Sequence, residues 1–254
     1  MKLARTIAEL EPAPGTGLVP TMGALHDGHR ALLAAARREN ERVVMSLFVN
    51  PAQFDEQADL AAYPRDEARD LEVAEAEDVD VVFAPALDEL YPAGFDTWVE
   101  PEETGAEGGA RPGHFRGVAT VCLKLFNLVR PERAYFGQKD AQQVVVIRRL
   151  VRDLDVPVEI RAVPTVRDTD GLAFSSRNAL LSPAEREHAL GLPRALAAAV
   201  SAPDPVAAAR AALNGLDPDY VELVDLGGAT VLAAAVRVGS VRLLDNVLVE
   251  GEVR

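Results

Sequence analysis

Short apolar runs alternate with helical stretches along the first two thirds of the chain, and this alternation restricts the fold more than any other feature. Most of the runs lack charged residues, which is typical of parallel strands buried on both faces. The predicted strands are residues 17–20, 43–49, 79–84, 134–136 and 158–163, and the predicted helices are residues 30–40, 64–76, 118–129 and 141–154. The sequence therefore predicts an α/β fold with a doubly wound parallel sheet.

A polar break follows the last of these strands, at residues 164–171. Beyond it lie Ala-rich helices up to Leu213 and strand-like runs at residues 220–224, 234–238 and 241–249. A chain of 254 residues exceeds the usual single-domain length of about 100 to 200 residues. We therefore expect one large domain over residues 1–165 and a smaller α+β domain over residues 166–254.

Composition excludes several classes of protein. The net charge of −14 argues against a nucleic-acid partner, because binding a polyanion requires a basic surface. No apolar run is long enough to span a bilayer, so no membrane partner is expected. The first residues lack the apolar core of a signal peptide, and Cys122 is the only cysteine. We expect a cytoplasmic protein without disulfides.

A Gly-rich turn with two histidines joins the first predicted strand to the first predicted helix. It contains Gly23, His26, Gly28 and His29, and it lacks both the lysine of a P-loop and the Gly-x-Gly-x-x-Gly of a dinucleotide site. We expect free backbone N–H groups here to attract phosphate, and the imidazoles to stabilise its charge, as in nucleotidyl transfer. A surface pair or half of a metal site is the alternative.

Polar motifs also follow the later strands. Asn50 and Gln53 offer two carboxamides, although an ordinary Asn-Pro turn explains them equally well. Lys139 follows Gly137 at a predicted helix start, where Asp140 has capping spacing to Gln143; a capped helix with a solvated lysine is the alternative. Ser175, Ser176 and Arg177 suit a polyphosphate, since arginine binds phosphate in a bidentate fork.

Two further segments have structural interpretations. Pro64 is expected to occupy the first position of a helix. Residues 107–118 form a glycine-rich stretch with three potential cations, Arg111, His114 and Arg116, and we expect a loop there. It either covers an anion or is a mobile surface connection.

Together, the motifs at residues 20–29, 48–54, 63–65, 136–143 and 175–178 resemble those of the pantothenate synthetases, or pantoate–β-alanine ligases, in the family's order over nearly the whole chain. The resemblance implies a Rossmann-like domain of the nucleotidyltransferase type, a smaller C-terminal domain that closes over ATP, and a homodimer. It also implies that pantoate and ATP form pantoyl-adenylate and pyrophosphate. The amine of β-alanine then displaces AMP to give pantothenate.

The resemblance also implies roles for individual residues. Catalysis is assigned to His26, His29 and Lys139, with His29 as the family's proton donor. Gln53 and Gln143 are the implied pantoate ligands, and Gln53 also adjoins β-alanine. Mg²⁺ is expected on the ATP oxygens, without named protein ligands. The implied ATP-binding residues are Met22, Gly23, Ala24, Leu25, His26, Asp27, Gly28, His29, Gly137, Gln138, Lys139, Asp140, Val166, Phe174, Ser175, Ser176 and Arg177.

The chain departs from the family's pattern at three points. Asp27 replaces the usual Glu, Phe174 replaces the usual Met, and the C-terminal domain is short. Phe174 is expected to narrow or restack the adenine pocket and so to affect the nucleotide preference. The rival functions are an adenylyltransferase that keeps AMP in its product, an aminoacyl-tRNA synthetase, which the charge disfavours, and a nucleotide-binding regulatory or scaffold protein without turnover.

Overall fold

The computed structural model describes residues 1–103 and 105–252. Six parallel strands form one sheet in the order β1-β4-β3-β2-β5-β6, and three antiparallel strands form a second sheet in the order β7-β8-β9. The strands are β1 (Lys2–Ala4), β2 (Thr16–Thr21), β3 (Arg42–Leu47), β4 (Val81–Phe83), β5 (Arg133–Gly137), β6 (Glu159–Val163), β7 (Asp217–Asp225), β8 (Ala229–Val238) and β9 (Val241–Gly251).

Helices connect the parallel strands and cover both faces of their sheet. The α-helices are α1 (Asp27–Glu39), α2 (Gln57–Ala62), α3 (Glu67–Ala76), α4 (Leu87–Leu90), α5 (Ala106–Ala110), α6 (His114–Val129), α7 (Ala141–Asp153), α8 (Pro183–Ala189), α9 (Gly191–Ala199) and α10 (Pro205–Ala212). One apolar core joins the sheet to α6 and α7, and another joins it to α1 and α3. The doubly wound α/β prediction is confirmed.

The C-terminal part has its own core, in which α9 and α10 pack against one face of the three-stranded sheet. This confirms the predicted α+β character of the smaller unit. The parallel sheet ends at Val163, and the antiparallel sheet begins at Asp217. None of the helices in the described ranges combines the length and the hydropathy needed to cross a bilayer.

Several local predictions are wrong. The third helix begins at Glu67 and not at Pro64, because the carboxylate of Asp66 accepts the N–H of Arg69 and caps the helix there. The stretch 107–118 is largely helical, since α5 ends at Ala110 and α6 begins at His114. Asp140 makes no side-chain cap; it ends a 3₁₀ turn, Gln138–Asp140, ahead of α7. Strand β1 is absent from the predicted strands, because its three residues are too few to show a hydrophobic pattern.

Candidate active site

A crevice opens between β2 and β5, where the strand order of the parallel sheet reverses. The two strands pair through Gly17 with Arg133 and Leu18 with Ala134, close to their amino-terminal ends. Both continue beyond these pairs, so their carboxyl ends separate. Ligands of doubly wound sheets bind at such a switch point.

The two histidines of the Gly-rich turn lie in the wall of this crevice. His26 is the N-cap of α1, and its Nδ1 accepts the Gly28 N–H at 3.1 Å. His29 Nδ1 accepts the His26 N–H at 3.3 Å. A nitrogen that accepts carries no proton, so each neutral ring holds its proton on Nε2. The turn therefore supplies two neutral N–H donors to the crevice.

Both rings resist protonation. Burial lowers the pKa of His26 to about 4, and the charge of Lys139 adds to this effect. Burial also lowers the pKa of His29 well below its ordinary value, with smaller contributions from His26 and Lys139. The imidazoles are therefore neutral near pH 7, so they donate hydrogen bonds without adding charge.

The prediction of free backbone N–H groups in this turn is wrong. The buried carboxylate of Asp70 accepts the Ala24 N–H at 2.9 Å and the Leu25 N–H at 2.7 Å. The N–H groups of His26 and Gly28 bond to imidazole nitrogens. Asp70 of α3 and the two imidazoles thus occupy four N–H groups that an anion would use, and the imidazoles offer their own N–H groups instead.

Cationic side chains complete this side of the crevice. Lys139 Nζ lies 3.3 Å from Asp140 Oδ1. Arg177 comes from the C-terminal part and forms a bidentate pair with Asp59 of α2, with nitrogen–oxygen distances of 2.7 and 3.3 Å. Ser176 Oγ donates to the Ala24 carbonyl at 3.1 Å and so ties the Arg177 segment to the Gly-rich turn.

An amide pair lies at the end of β3. Asn50 is buried; its Oδ1 accepts from the Tyr91 hydroxyl at 3.0 Å and from the Ala52 N–H at 3.3 Å. Its Nδ2 donates to the Gly117 carbonyl at 3.1 Å and to Gln53 Oε1 at 3.0 Å. These partners fix both amides, so Gln53 Oε1 is committed to Asn50, and Nε2 is the donor that Gln53 offers a ligand.

Four further polar side chains line another part of the wall: Glu107 of α5, Arg111 between α5 and α6, His114 of α6, and Arg242 of β9. Arg242 Nη1 donates to both oxygens of Glu107, at 2.7 and 3.0 Å. His114 Nδ1 lies 2.8 Å from the Gln53 carbonyl, which accepts its proton. The third cation of the Gly-rich stretch, Arg116, is absent from the wall; it pairs with Glu100 at 2.8 Å.

The structure brings most of the predicted site residues to one crevice, including His29, Lys139 and Arg177. The wall contains Met22, His26, Gly28, His29, Gln53, Gly137, Lys139, Asp140, Gln143, Val166, Phe174, Ser175, Ser176 and Arg177. The predicted residues that are not part of the wall are Gly23, Ala24, Leu25, Asp27 and Gln138.

Two of these exceptions have clear structural reasons. The Asp27 side chain is 63% exposed and lies 3.7 Å from Arg30. Gln138 is buried, and its side chain donates to Asn246 of β9 at 3.0 Å, so it joins the two sheets.

Phe174 stacks against His26, with ring centroids 6.0 Å apart.

Sequence reasoning missed three residues that shape the site. Asp70 lies within a run of charged residues that is typical of a solvated helix face, and Tyr91 and Arg242 lie far along the chain from the motifs they serve. For Arg242, alternation offers a signal, because residues 242 and 244 of β9 share the face that lines the crevice.

Comparison with known proteins gives consistent matches over nearly the whole chain. The family model described as pantoate-beta-alanine ligase matches residues 2–248. The pantothenate synthetase of Corynebacterium efficiens is 52% identical over 282 residues, covering 97% of this chain and 98% of the relative. The crystal structure of pantothenate synthetase from Thermus thermophilus has a TM-score of 0.93 at 45% identity, covering 98% of this chain and 99% of that one.

A further solved structure carries ligands. It is the pantoate-beta-alanine ligase of Francisella tularensis, complexed with beta-gamma ATP and beta-alanine. It has a TM-score of 0.86 and 36% identity, and the alignment covers 99% of each chain.

Proposed function

Because the chain belongs to the pantoate-beta-alanine ligase family, we propose that it condenses pantoate with β-alanine to pantothenate at the expense of ATP. One observation carries the proposal: neutral imidazole donors, cations and carboxamides from distant parts of the chain line a single crevice. They include His29, Lys139, Arg177, Gln53 and Gln143.

The first stage activates a poor electrophile. An oxygen of the pantoate carboxylate attacks the α-phosphorus of ATP, the bond to the β-phosphate breaks, and pyrophosphate leaves. The Nε2–H groups of His26 and His29 donate to phosphoryl oxygens, while Lys139 and Arg177 offset the growing charge. Losing one such contact typically costs about 3 kcal/mol, or about 10²-fold in rate.

The second stage uses the mixed anhydride. The neutral amine of β-alanine attacks the acyl carbon, the carbon–oxygen bond to AMP breaks and AMP leaves, while the nitrogen releases one proton to solvent. Gln53 Nε2 donates to an oxygen of pantoate, and Gln143 binds it as the second amide. Amides satisfy hydroxyl and carboxylate oxygens without adding a titrating charge.

The nucleotide is proposed to lie against the Gly-rich turn and the start of α7. Among the wall residues, Gly28 and Gly137 allow close approach, and Ser175 donates its hydroxyl to a phosphate. Ser176 keeps its hydroxyl on the Ala24 carbonyl and so holds this segment against the Gly-rich turn beside the nucleotide. Five predicted residues lie outside the wall and act only by shaping and anchoring these segments: Gly23, Ala24, Leu25, Asp27 and Gln138. Phe174, which already stacks on His26, is proposed to set the width of the adenine pocket.

The donor set fits Mg²⁺ that arrives with the nucleotide. No group of three or more His, Cys, Asp or Glu side chains with metal-site geometry occurs in the described ranges. Mg²⁺ usually keeps several waters and binds substrate phosphates rather than an all-protein cage. ATP phosphate oxygens would hold it, and it would neutralise part of their charge.

The organisation of the protein remains part of this proposal. We place the domain boundary between residues 165 and 166, and we propose that residues 166–254 close over ATP. A homodimer is proposed on the family resemblance. A cytoplasmic location is proposed because Cys122 is the only cysteine of the sequence, so the fold is built without an intramolecular disulfide, as is usual in a reducing compartment.

Pyrophosphate exchange tests the function directly. Labelled pyrophosphate should enter ATP when pantoate and Mg²⁺ are present, and β-alanine should not be required. Exchange without pantoate, or no exchange in the complete mixture, would contradict the proposal. Release of free AMP after β-alanine is added separates this ligase from an adenylyltransferase that keeps AMP in its product.

A further inference from the structure

A buried cluster of three charged side chains lies beside Gln53, apart from the histidines and Lys139. Glu107 of α5 lies between two guanidinium groups: Arg242 of β9 at 2.7 Å and Arg111 at 3.9 Å. Arg111 Nη2 also donates to the Gln53 carbonyl at 3.2 Å. The cluster therefore contacts the backbone of Gln53, the residue whose side-chain amide is assigned to the organic substrates.

Two of the three charged groups in the cluster are positive. The side chains of Glu107, Arg111 and Arg242 are 9%, 12% and 15% exposed, so one carboxylate and two guanidinium groups share a desolvated wall. The other acidic partners are more solvated: Asp55 is 32% exposed and Asp219 is 25% exposed. Solvent screens those two charges more strongly than the buried three.

One nitrogen of Arg242 lacks an acceptor. Its Nε donates to Asp219 at 2.5 Å, and its Nη1 donates to Glu107. Its Nη2 is buried and has no hydrogen-bond partner among residues 1–103 and 105–252. Buried guanidinium N–H groups are costly without an acceptor. Because Arg242 lines the crevice, a bound ligand is the natural source of that acceptor.

We propose that Arg242, with Arg111 beside it, binds the carboxylate of β-alanine. This rests on the proposed function, since it concerns the amine substrate of the second stage. The phosphates already have donors in the Gly-rich turn, Lys139 and Arg177, whereas the carboxylate of a short ω-amino acid needs a separate cation. Arginine is suited to a carboxylate, because its planar fork matches the two oxygens. The subsite selects amines that carry a negative group.

The test compares two amines in the full-length enzyme: β-alanine, and its carboxamide, which lacks the negative charge. Wild-type enzyme should strongly prefer β-alanine. In Arg242→Gln, kcat/KM for β-alanine should fall at least about tenfold, the loss expected for one charged hydrogen bond. The value for the carboxamide should fall several-fold less than that for β-alanine, because its carbonyl oxygen can accept from Arg242 but carries no charge to pair with the guanidinium. Pantoate-dependent pyrophosphate exchange should be retained, since β-alanine is absent from it.

Two variants separate binding from structure. Arg237 of β8 also contacts Asp219, at 3.7 Å, but does not line the crevice, so Arg237→Gln should keep the preference for β-alanine. If Arg242→Gln fails to fold because buried Glu107 loses its nearest cation, the double variant Glu107→Gln/Arg242→Gln removes both charges and takes its place.

The outcomes are distinct. Unchanged discrimination between the two amines, or an equal loss for both amines and for exchange, would overturn the subsite. Absence of pantoate-dependent exchange in the wild-type enzyme would instead count against the proposed function.

Discussion

His26 and His29 are held in the same tautomer, because each accepts a backbone N–H at Nδ1. Their ring centroids are 4.0 Å apart, so two Nε2–H donors lie side by side in the crevice. The same two rings therefore cap α1 and, in the proposed function, donate to the phosphates. A side chain that keeps the Nδ1 acceptor but lacks Nε2 therefore separates the two roles.

His29→Asn should keep the cap and lose the donor, since the amide oxygen takes the place of Nδ1. We expect pantoate-dependent exchange to fall about 10²-fold, with little change in the free energy of unfolding. Lys139→Ala should behave similarly. Exchange kinetics and urea unfolding measure the two quantities. The control is His188→Asn, at an exposed position of α8. Full activity in His29→Asn or Lys139→Ala would show that the proposed position of the phosphates is wrong.

Stability should decrease in acid because these rings are buried in the neutral form. The unfolded chain protonates histidine near pH 6.5, whereas the folded-state pKa of His26 is lowered to about 4. Between these values the unfolded state binds more protons, so the free energy of unfolding falls as pH falls through this window. His29→Asn removes one such group and should lose less stability than wild type between about pH 7 and about pH 5. Parallel losses in urea titrations would contradict this.

Sequence reasoning was most successful where a local pattern of residues is compatible with few structures. The apolar runs predicted the parallel sheet, since short runs of this kind between helices are typical of strands that are buried on both faces. Because ligands of such sheets gather beyond the carboxyl ends of the strands, the turns after β2, β3 and β5 are expected to meet there, and Met22, Gln53 and Lys139 do line one crevice.

The remainder depended on contacts between distant segments. Nothing local indicates that Asp70 occupies two N–H groups of the Gly-rich turn, or that Arg242 reaches Glu107 across the chain. The helix Ala106–Ala110 was missed because its glycines favour a loop, whereas Ala106 packs against Tyr220 of the second sheet. Tertiary packing decided the structure there.

Asn50→Asp should weaken the binding of pantoate. The new carboxylate replaces the Nδ2 donor that now holds Gln53 Oε1, so the Gln53 amide must turn its NH₂ group toward residue 50. An oxygen then faces the oxygens of pantoate, and KM for pantoate should rise about tenfold or more, because a hydrogen bond becomes a repulsion. Tyr91→Phe removes a hydroxyl on the far side of Asn50 and should raise it less. Unchanged KM in Asn50→Asp would show that Gln53 is not oriented by Asn50.

We expect Asp59 to compete with ATP for Arg177, because the two side chains form an ion pair in the crevice. The bidentate pair between the two is partly exposed, at 24% and 31% of each side chain, so its net worth is about 0.5 to 1 kcal/mol. In Asp59→Asn this competition disappears, and KM for ATP in the exchange reaction should fall about two- to fivefold. Arg177→Ala should raise it instead. Glu56→Gln removes a neighbouring charge that lies 3.8 Å from Arg237, and it serves as the matched control. If Asp59→Asn raised KM for ATP, Asp59 would be supporting the position of Arg177 rather than competing for it.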